Sequence, residues 1–272
     1  VKRVVGLMPE ASSFGSLAVA FLTAIYFLRR AISRPWARLI LTPCLIVLLA
    51  LFALLSTSSA AYGGLAVFGC VATAEWFWRL LMAEKGSRAR EGLVLEFWAI
   101  VLGLAAVYLL ALFNPAVFNP FIELINTIIF QKASSDSFEE RSMWTAVSFN
   151  ALIATWGLGV GMGGTRASNG LVAVFSNTGI AGGLLYYSFL IQTYLRRAAP
   201  GDQEAAVILT AVRFYMPPVL IMGILAGTSA DFGVMNACIY ALAAATAADA
   251  PARAGAKSVS QRPSPTGTGK MA

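Results

Sequence analysis

Seven long apolar runs, separated by short segments rich in arginine, constrain this chain more than any other feature. They cover residues 12–28, 39–55, 60–81, 97–113, 171–195, 205–226 and 232–248. A helix that crosses a bilayer needs about 20 mostly apolar residues, and each run approaches that length. In lipid every backbone N–H and C=O must find a partner within the protein, which excludes an open sheet edge. The predicted fold class is an all-α polytopic membrane protein with about seven transmembrane helices. Composition agrees, since only 12% of the residues are charged against about 25% in an ordinary soluble domain.

Lysine and arginine thread the runs through the membrane. Fourteen of the twenty basic residues fall on one side: after the first, third and fifth runs and in the tail beyond residue 248. By the positive-inside rule that side is cytoplasmic. Trp36, Trp76, Trp78 and Trp98 lie beside the same loops, as an interfacial aromatic belt would. The fourth run then exits outward and the fifth must re-enter, so residues 114–170 form a large extracytoplasmic loop. The short apolar segment 144–156 is expected to lie on the outer surface or to re-enter partway. Residues 249–272, rich in Ala, Pro, Ser, Gly and Thr, read as a disordered cytoplasmic tail. The first eleven residues are threaded outside without a signal segment, so the sequence reads as the C-terminal portion of a longer protein.

Several chemistries are disfavoured at once. Histidine is absent, which removes the commonest general base and metal ligand. Cys44, Cys70 and Cys238 sit singly in apolar runs, the wrong pattern for zinc, an iron–sulfur cluster or a disulfide framework. Neither a metal nor a cofactor is expected. The net charge of +7 is spread over short loops facing anionic lipid, so no nucleic-acid partner is implied.

The outer loop carries the candidate chemistry. Residues 119–131 place Phe121, Leu124, Ile125, Ile128 and Ile129 on one helical face, the pattern of a helix lying along a membrane surface. Ser137 and Glu140 have capping-box spacing, so a helix should begin near Phe138, with Arg141 in its first turn and Trp144 one turn later. It should end at the run GLGVGMGGTRASNG, residues 157–170. Gly159, Gly161 and Gly164 match GxGxxG literally, but no strand precedes them and no dinucleotide fold could form. Two readings stay open for this turn. Its N–H groups could cradle an anion, or it could be a tight return into the next span.

The order of three motifs then resembles the bacterial O-antigen polymerase and ligase superfamily. The motifs are S-x3-R-x2-W at 137–144, the glycine-rich run with Arg166, and Ser176-Asn177-Thr178-Gly179. Two further segments fit, one from Arg3 through Pro9, Glu10 and Ser12 to Phe14, the other at 54–64. The resemblance covers residues 3 to about 195 and implies an integral membrane protein of the bacterial cytoplasmic membrane. The implied reaction joins undecaprenyl-pyrophosphate-linked oligosaccharide repeat units into O-antigen or exopolysaccharide on the outer face, by metal-independent inverting glycosyl transfer. Implied partners are the lipid-linked donor and acceptor, membrane lipid, a chain-length regulator and other polysaccharide assembly proteins. Ligases of the superfamily carry a histidine after the glycine turn; this chain has none, which favours polymerase over ligase.

The residues that would carry such a reaction follow from its charge. Without a metal, the departing pyrophosphate needs guanidinium groups, which stay ionised and bind phosphate bidentately. Arg141 and Arg166 are the expected catalytic cations and Glu10 the carboxylate that orients or deprotonates the acceptor hydroxyl, although Glu10 could instead cap the first helix. Arg3, Lys132, Gly161, Gly163, Gly164 and Asn169 are the expected substrate-binding residues. Asp231, in the short loop before the last run, is a second candidate carboxylate. Glu75 and Arg213 lie inside spans but near their cytoplasmic ends, where Arg213 can snorkel, and Pro217-Pro218 is expected to kink its span. A lipid-linked glycan flippase or other transporter is the alternative of a different class, and a structural membrane subunit without chemistry is a third.

Overall fold

A computed structural model describes residues 10–82, 92–114 and 136–248. Among them every regular element is helical. The helices are α1 (Ala11–Leu28), α2 (Thr42–Leu55), α3 (Ser59–Met82), α4 (Leu93–Phe113), α5 (Asp136–Ala154), α6 (Gly170–Leu195), α7 (Gln203–Ala226) and α8 (Gly233–Thr246). A 3₁₀ turn over Arg29–Ala31 extends α1, and a π-helical turn over Ala37–Leu41 leads into α2. Five helical segments are long and apolar enough to cross a membrane: Ala11–Ala31, Ala37–Leu55, Ser59–Met82, Gly170–Leu195 and Gln203–Ala226. The chain is therefore a multi-pass membrane protein in its architecture. α8, with 14 residues, is about 21 Å long, short of the roughly 30 Å hydrocarbon layer.

α7 is the axis of the bundle. It packs against α1, α3, α6 and α8, and Leu209, Val212, Tyr215 and Met216 are buried among Ala20, Ala24 and Phe27 of α1 and Ile239 and Ala243 of α8. Small residues set the closest approaches. A Cβ on Gly170 would lie 2.3 Å from the carbonyl oxygen of Gly223, so α6 begins with its backbone against that of α7. Lipid supplies no hydrophobic drive between helices, and such close backbone packing is the usual substitute. By contrast, α2 shows apolar side chains outward: Val47, Leu51 and Leu55 are each about half exposed or more, as a lipid-facing helix requires.

α7 continues as a helix through Pro217-Pro218, and a break in helical geometry falls in α6 at Gly179, with φ 73° and ψ 178°. Neighbouring helices can compensate backbone groups freed by proline in a membrane bundle. No such remedy exists for Gly179, because that combination of angles is essentially open to glycine alone. A Cβ there would also meet the Leu158 carbonyl oxygen at 2.3 Å. Gly179→Ala is expected to destabilise the folded chain by about 1–3 kcal/mol, read as a lower melting temperature in detergent. An unchanged melting temperature would mean that the break is not part of the folded state.

Arg213 also does more than reach for water. Its Nε donates to the Tyr194 carbonyl at 3.1 Å and its Nη2 to the Arg196 carbonyl at 2.6 Å. It therefore caps the C-terminal end of α6, where a cation also meets the negative pole of the helix. Glu75 is buried in an ionic cluster with Arg29, Arg30, Arg79 and Glu96, at the end of the bundle opposite the start of α1.

Candidate functional site

At the other end, the start of α1 meets the segment that leads into α6. Arg166 Nη2 donates to Glu10 Oε1 at 2.9 Å, joining residues 156 positions apart in the chain. The same guanidinium lies over the ring of Trp144 in α5, 4.8 Å from its centroid. Glu10 occupies the N-cap position of α1 but makes no capping hydrogen bond. Its carboxylate is spent on Arg166 and on the Ser12 hydroxyl, which donates to Oε2 at 3.1 Å. The first-helix cap reading of Glu10 is thus set aside.

Arg141 stands one turn before Trp144 on α5, half-buried. Its positive charge reaches Glu10, where it is the smallest of the influences on the carboxyl. Glu139 and Glu140 precede Arg141 on the same helix, so carboxylates flank both guanidinium groups. Thr145 ties the elements together. Its hydroxyl donates to the Arg141 carbonyl at 2.9 Å and accepts from the Ser168 amide at 3.3 Å, which holds the 165–169 segment against α5. Asn169 caps α6, its Oδ1 accepting from the amides of Leu171 and Val172, so its side-chain oxygen has a structural role.

The Ser12 hydroxyl and the neighbouring guanidinium groups of Arg166 and Arg141 hold the Glu10 carboxyl below the usual carboxylate range, slight burial acting against them. A depressed folded value means that the pairing is complete above the unfolded pKa and is lost as pH falls through the folded one. The Glu10–Arg166 pair should therefore persist from neutral pH to below about pH 4.5 and then open. Fluorescence of Trp144, with the other five tryptophans replaced by phenylalanine, would report the departure of Arg166. A transition between pH 5 and 7 would contradict this assignment.

The glycine turn is docked onto the α6 break. The amides of Val160 and Gly161 donate to the carbonyls of Ser176 and Asn177 at 2.9 and 3.0 Å, and Ile180 donates to Gly157 at 2.8 Å. Gly159 donates to Thr155 Oγ1, and Gly164 to the Gly161 carbonyl. Asn177 clasps the turn from the other side, its Nδ2 donating to the Thr165 carbonyl while its Oδ1 accepts the Thr165 amide. With these amides engaged inside the protein, the tight-return reading is favoured over an anion cradle at Gly161 and Gly164. Gly163, at φ 80° with open space where a Cβ would stand, belongs to the exposed tip of the turn.

The helix forecast near Phe138 begins at Asp136 and ends at Ala154, packed along α6. The capping-box side chain of Ser137, the surface helix expected over 119–131, Arg3, Lys132 and the tail 249–272 lie outside the described residues. Sequence reasoning assigned no site role to Ser12, Trp144, Thr145 or the Thr165–Ser176–Asn177 set. Ser12, Trp144 and the Thr165–Ser176–Asn177 set were marked only by their presence in the quoted motifs, and Thr145 by nothing. No protein-family model, curated protein or solved structure matches the chain.

Proposed function

We propose that the chain is a polysaccharide polymerase of the bacterial cytoplasmic membrane, crossing it seven times with the Glu10–Arg166 end outside. It joins undecaprenyl-pyrophosphate-linked repeat units without a metal. The observation that supports this reading is the convergence of Arg141, Arg166, Glu10 and Trp144 at one end of an apolar bundle. An acceptor hydroxyl attacks the anomeric carbon of the donor glycan, its proton passes to a carboxylate, and the pyrophosphate leaves with the bond electrons. Arg166 and Arg141 neutralise the growing charge on the leaving group, a type of stabilisation that can dominate catalysis in a site poor in water.

The Glu10–Arg166 pair gives this reading a resting state. A carboxylate held low in pKa by a hydroxyl donor and by an arginine is a poor base. When the donor pyrophosphate draws Arg166 away, Glu10 loses a cation and becomes more basic as substrate arrives. In the resting state Trp144 offers Arg166 a ring face beside Glu10, a contact given up when the pair opens.

A lipid-linked glycan flippase is the second reading, favoured by two observations. α6 is broken at Gly179, and charged side chains are buried at the opposite end of the bundle; discontinuous helices and paired charges are common in transporters. Disruption of the gene distinguishes them. The polymerase reading expects single repeat units on their lipid carrier to accumulate outside, accessible to an impermeant sugar oxidant in intact cells. Accumulation on the cytoplasmic face would replace it with the flippase, and unchanged polymer would remove both.

A further inference from the structure

A second polar site lies between α6, α7 and α8. The segment after α7 starts at Gly227, whose own Cβ would stand 3.1 Å from the Gly170 Cα. It ends at Phe232, whose ring stacks on Tyr186 at 4.5 Å, on the far side of the α6 break at Gly179. Residues 227–232 are not helical, and they touch α6 on both sides of its break at Gly179. Irregular backbone at such a level is tolerated where it lines a polar cavity. A cavity of about 100 Å³ is present, lined among others by Gly170, Tyr186, Tyr187, Ser229, Asp231 and Asn236.

The chemistry of that lining is specific. Asp231 accepts from the Gly233 amide at 2.8 Å through Oδ1 and from the Ser229 hydroxyl at 2.9 Å through Oδ2. Each carboxylate oxygen keeps a further lone pair for an incoming donor. Tyr186 is close enough to feel the charge of Asp231. One carboxylate beside hydroxyls and an amide is too poor in charge to hold a divalent cation, which takes six or more oxygen ligands. It suits neutral ligands that both donate and accept, and the aromatic walls suit C–H faces. The volume is that of about three waters, so the site takes an edge with two or three hydroxyls rather than a whole sugar ring.

We propose that this cleft seats the hydroxyl edge of one sugar of the acceptor glycan. The inference rests on the polymerase reading and adds a carbohydrate subsite to it. The two sites share one strand: Gly170 lines the cleft and Arg166 belongs to the ion pair, at most about 14 Å of extended chain apart. A sugar or two bridges that gap, which sets the acceptor end against the donor pyrophosphate. Sugar hydroxyls replace the cavity waters by reproducing their hydrogen bonds.

The full chain in nanodiscs, with Cys44, Cys70 and Cys238 changed to alanine, carries Ser229→Cys as a reporter for a membrane-impermeant maleimide. The probes are methyl glycosides of a hexose, an N-acetylhexosamine and a hexuronic acid. At least one is expected to slow labelling several-fold, and Asp231→Asn should abolish that protection without lowering the melting temperature. Tyr186→Phe, which keeps the stack on Phe232, should weaken it. Failure of every glycoside to protect, equal protection in Asp231→Asn, or no labelling of Ser229→Cys at all would overturn the proposal. Protection that survives while Arg141→Ala and Arg166→Ala leave polymer unchanged would retain the cleft as a carbohydrate site and reject the polymerase reading.

Discussion

Replacing Arg141 or Arg166 by lysine is expected to reduce polymer nearly as far as replacing it by alanine. Lysine preserves the charge but not the planar fork that binds two phosphate oxygens at once. At Arg166 it also loses the flat surface that lies over Trp144. Removing one strong donor to developing negative charge typically lowers the rate by about 10²–10³. Polymer from either variant should be barely detectable on a gel, with normal protein level in the membrane. Glu10→Gln should act differently. It frees Arg166 from its partner while leaving donor binding intact, so repeat units bind but join slowly. If both alanine variants make polymer of normal length, these arginines do not hold the leaving group.

The second large effect belongs to the opposite end of the bundle and concerns stability. Glu75 is 2% exposed and Arg79 wholly buried. Arg79 Nε lies 3.0 Å from Glu75 Oε1, within ion-pair distance though not aligned for a hydrogen bond. Arg30 also pairs with Glu75, while Glu96 is shared by Arg29, at 2.7 Å, and Arg79. Among the described residues, three guanidinium groups against two carboxylates leave one positive charge in excess. Glu75→Ala would leave three cations facing one carboxylate, and stranding a buried charge costs about 3–5 kcal/mol. Arg30→Ala would instead balance the cluster, two against two, and should cost much less. Melting of the purified variants in detergent, with membrane yield as a second measure, checks the order. Equal loss in both would show that packing rather than charge balance controls this cluster.

The spans were legible because the physics behind them is local. A spanning helix must be apolar along its whole length, and length can be counted; α3, for example, is expected over 60–81 and forms over Ser59–Met82. Asp202 accepts from the Ala205 amide at the start of α7 as a short polar residue before an apolar run should. The Gly179 break was not legible. Several glycines in and before α6 look equivalent in sequence, and only the docking of the 157–164 turn on that helix selects one of them.

Sequence by itself determined the class of element, the order of the helices and the chemical inventory: guanidinium groups, carboxylates and no imidazole. Tertiary structure alone decided which charges meet. Glu10 faces Arg166 because α1 and the irregular segment before α6 meet at one end of the bundle. Glu75 faces Arg30 because α1 and α3 end together at the other, whereas its contact with Arg79 follows from the i,i+4 spacing within α3. Apolarity along a helix is a property of each residue and its neighbours. Pairing across helices depends on their rotation and depth, which the packing of small residues around α7 sets and no local pattern encodes.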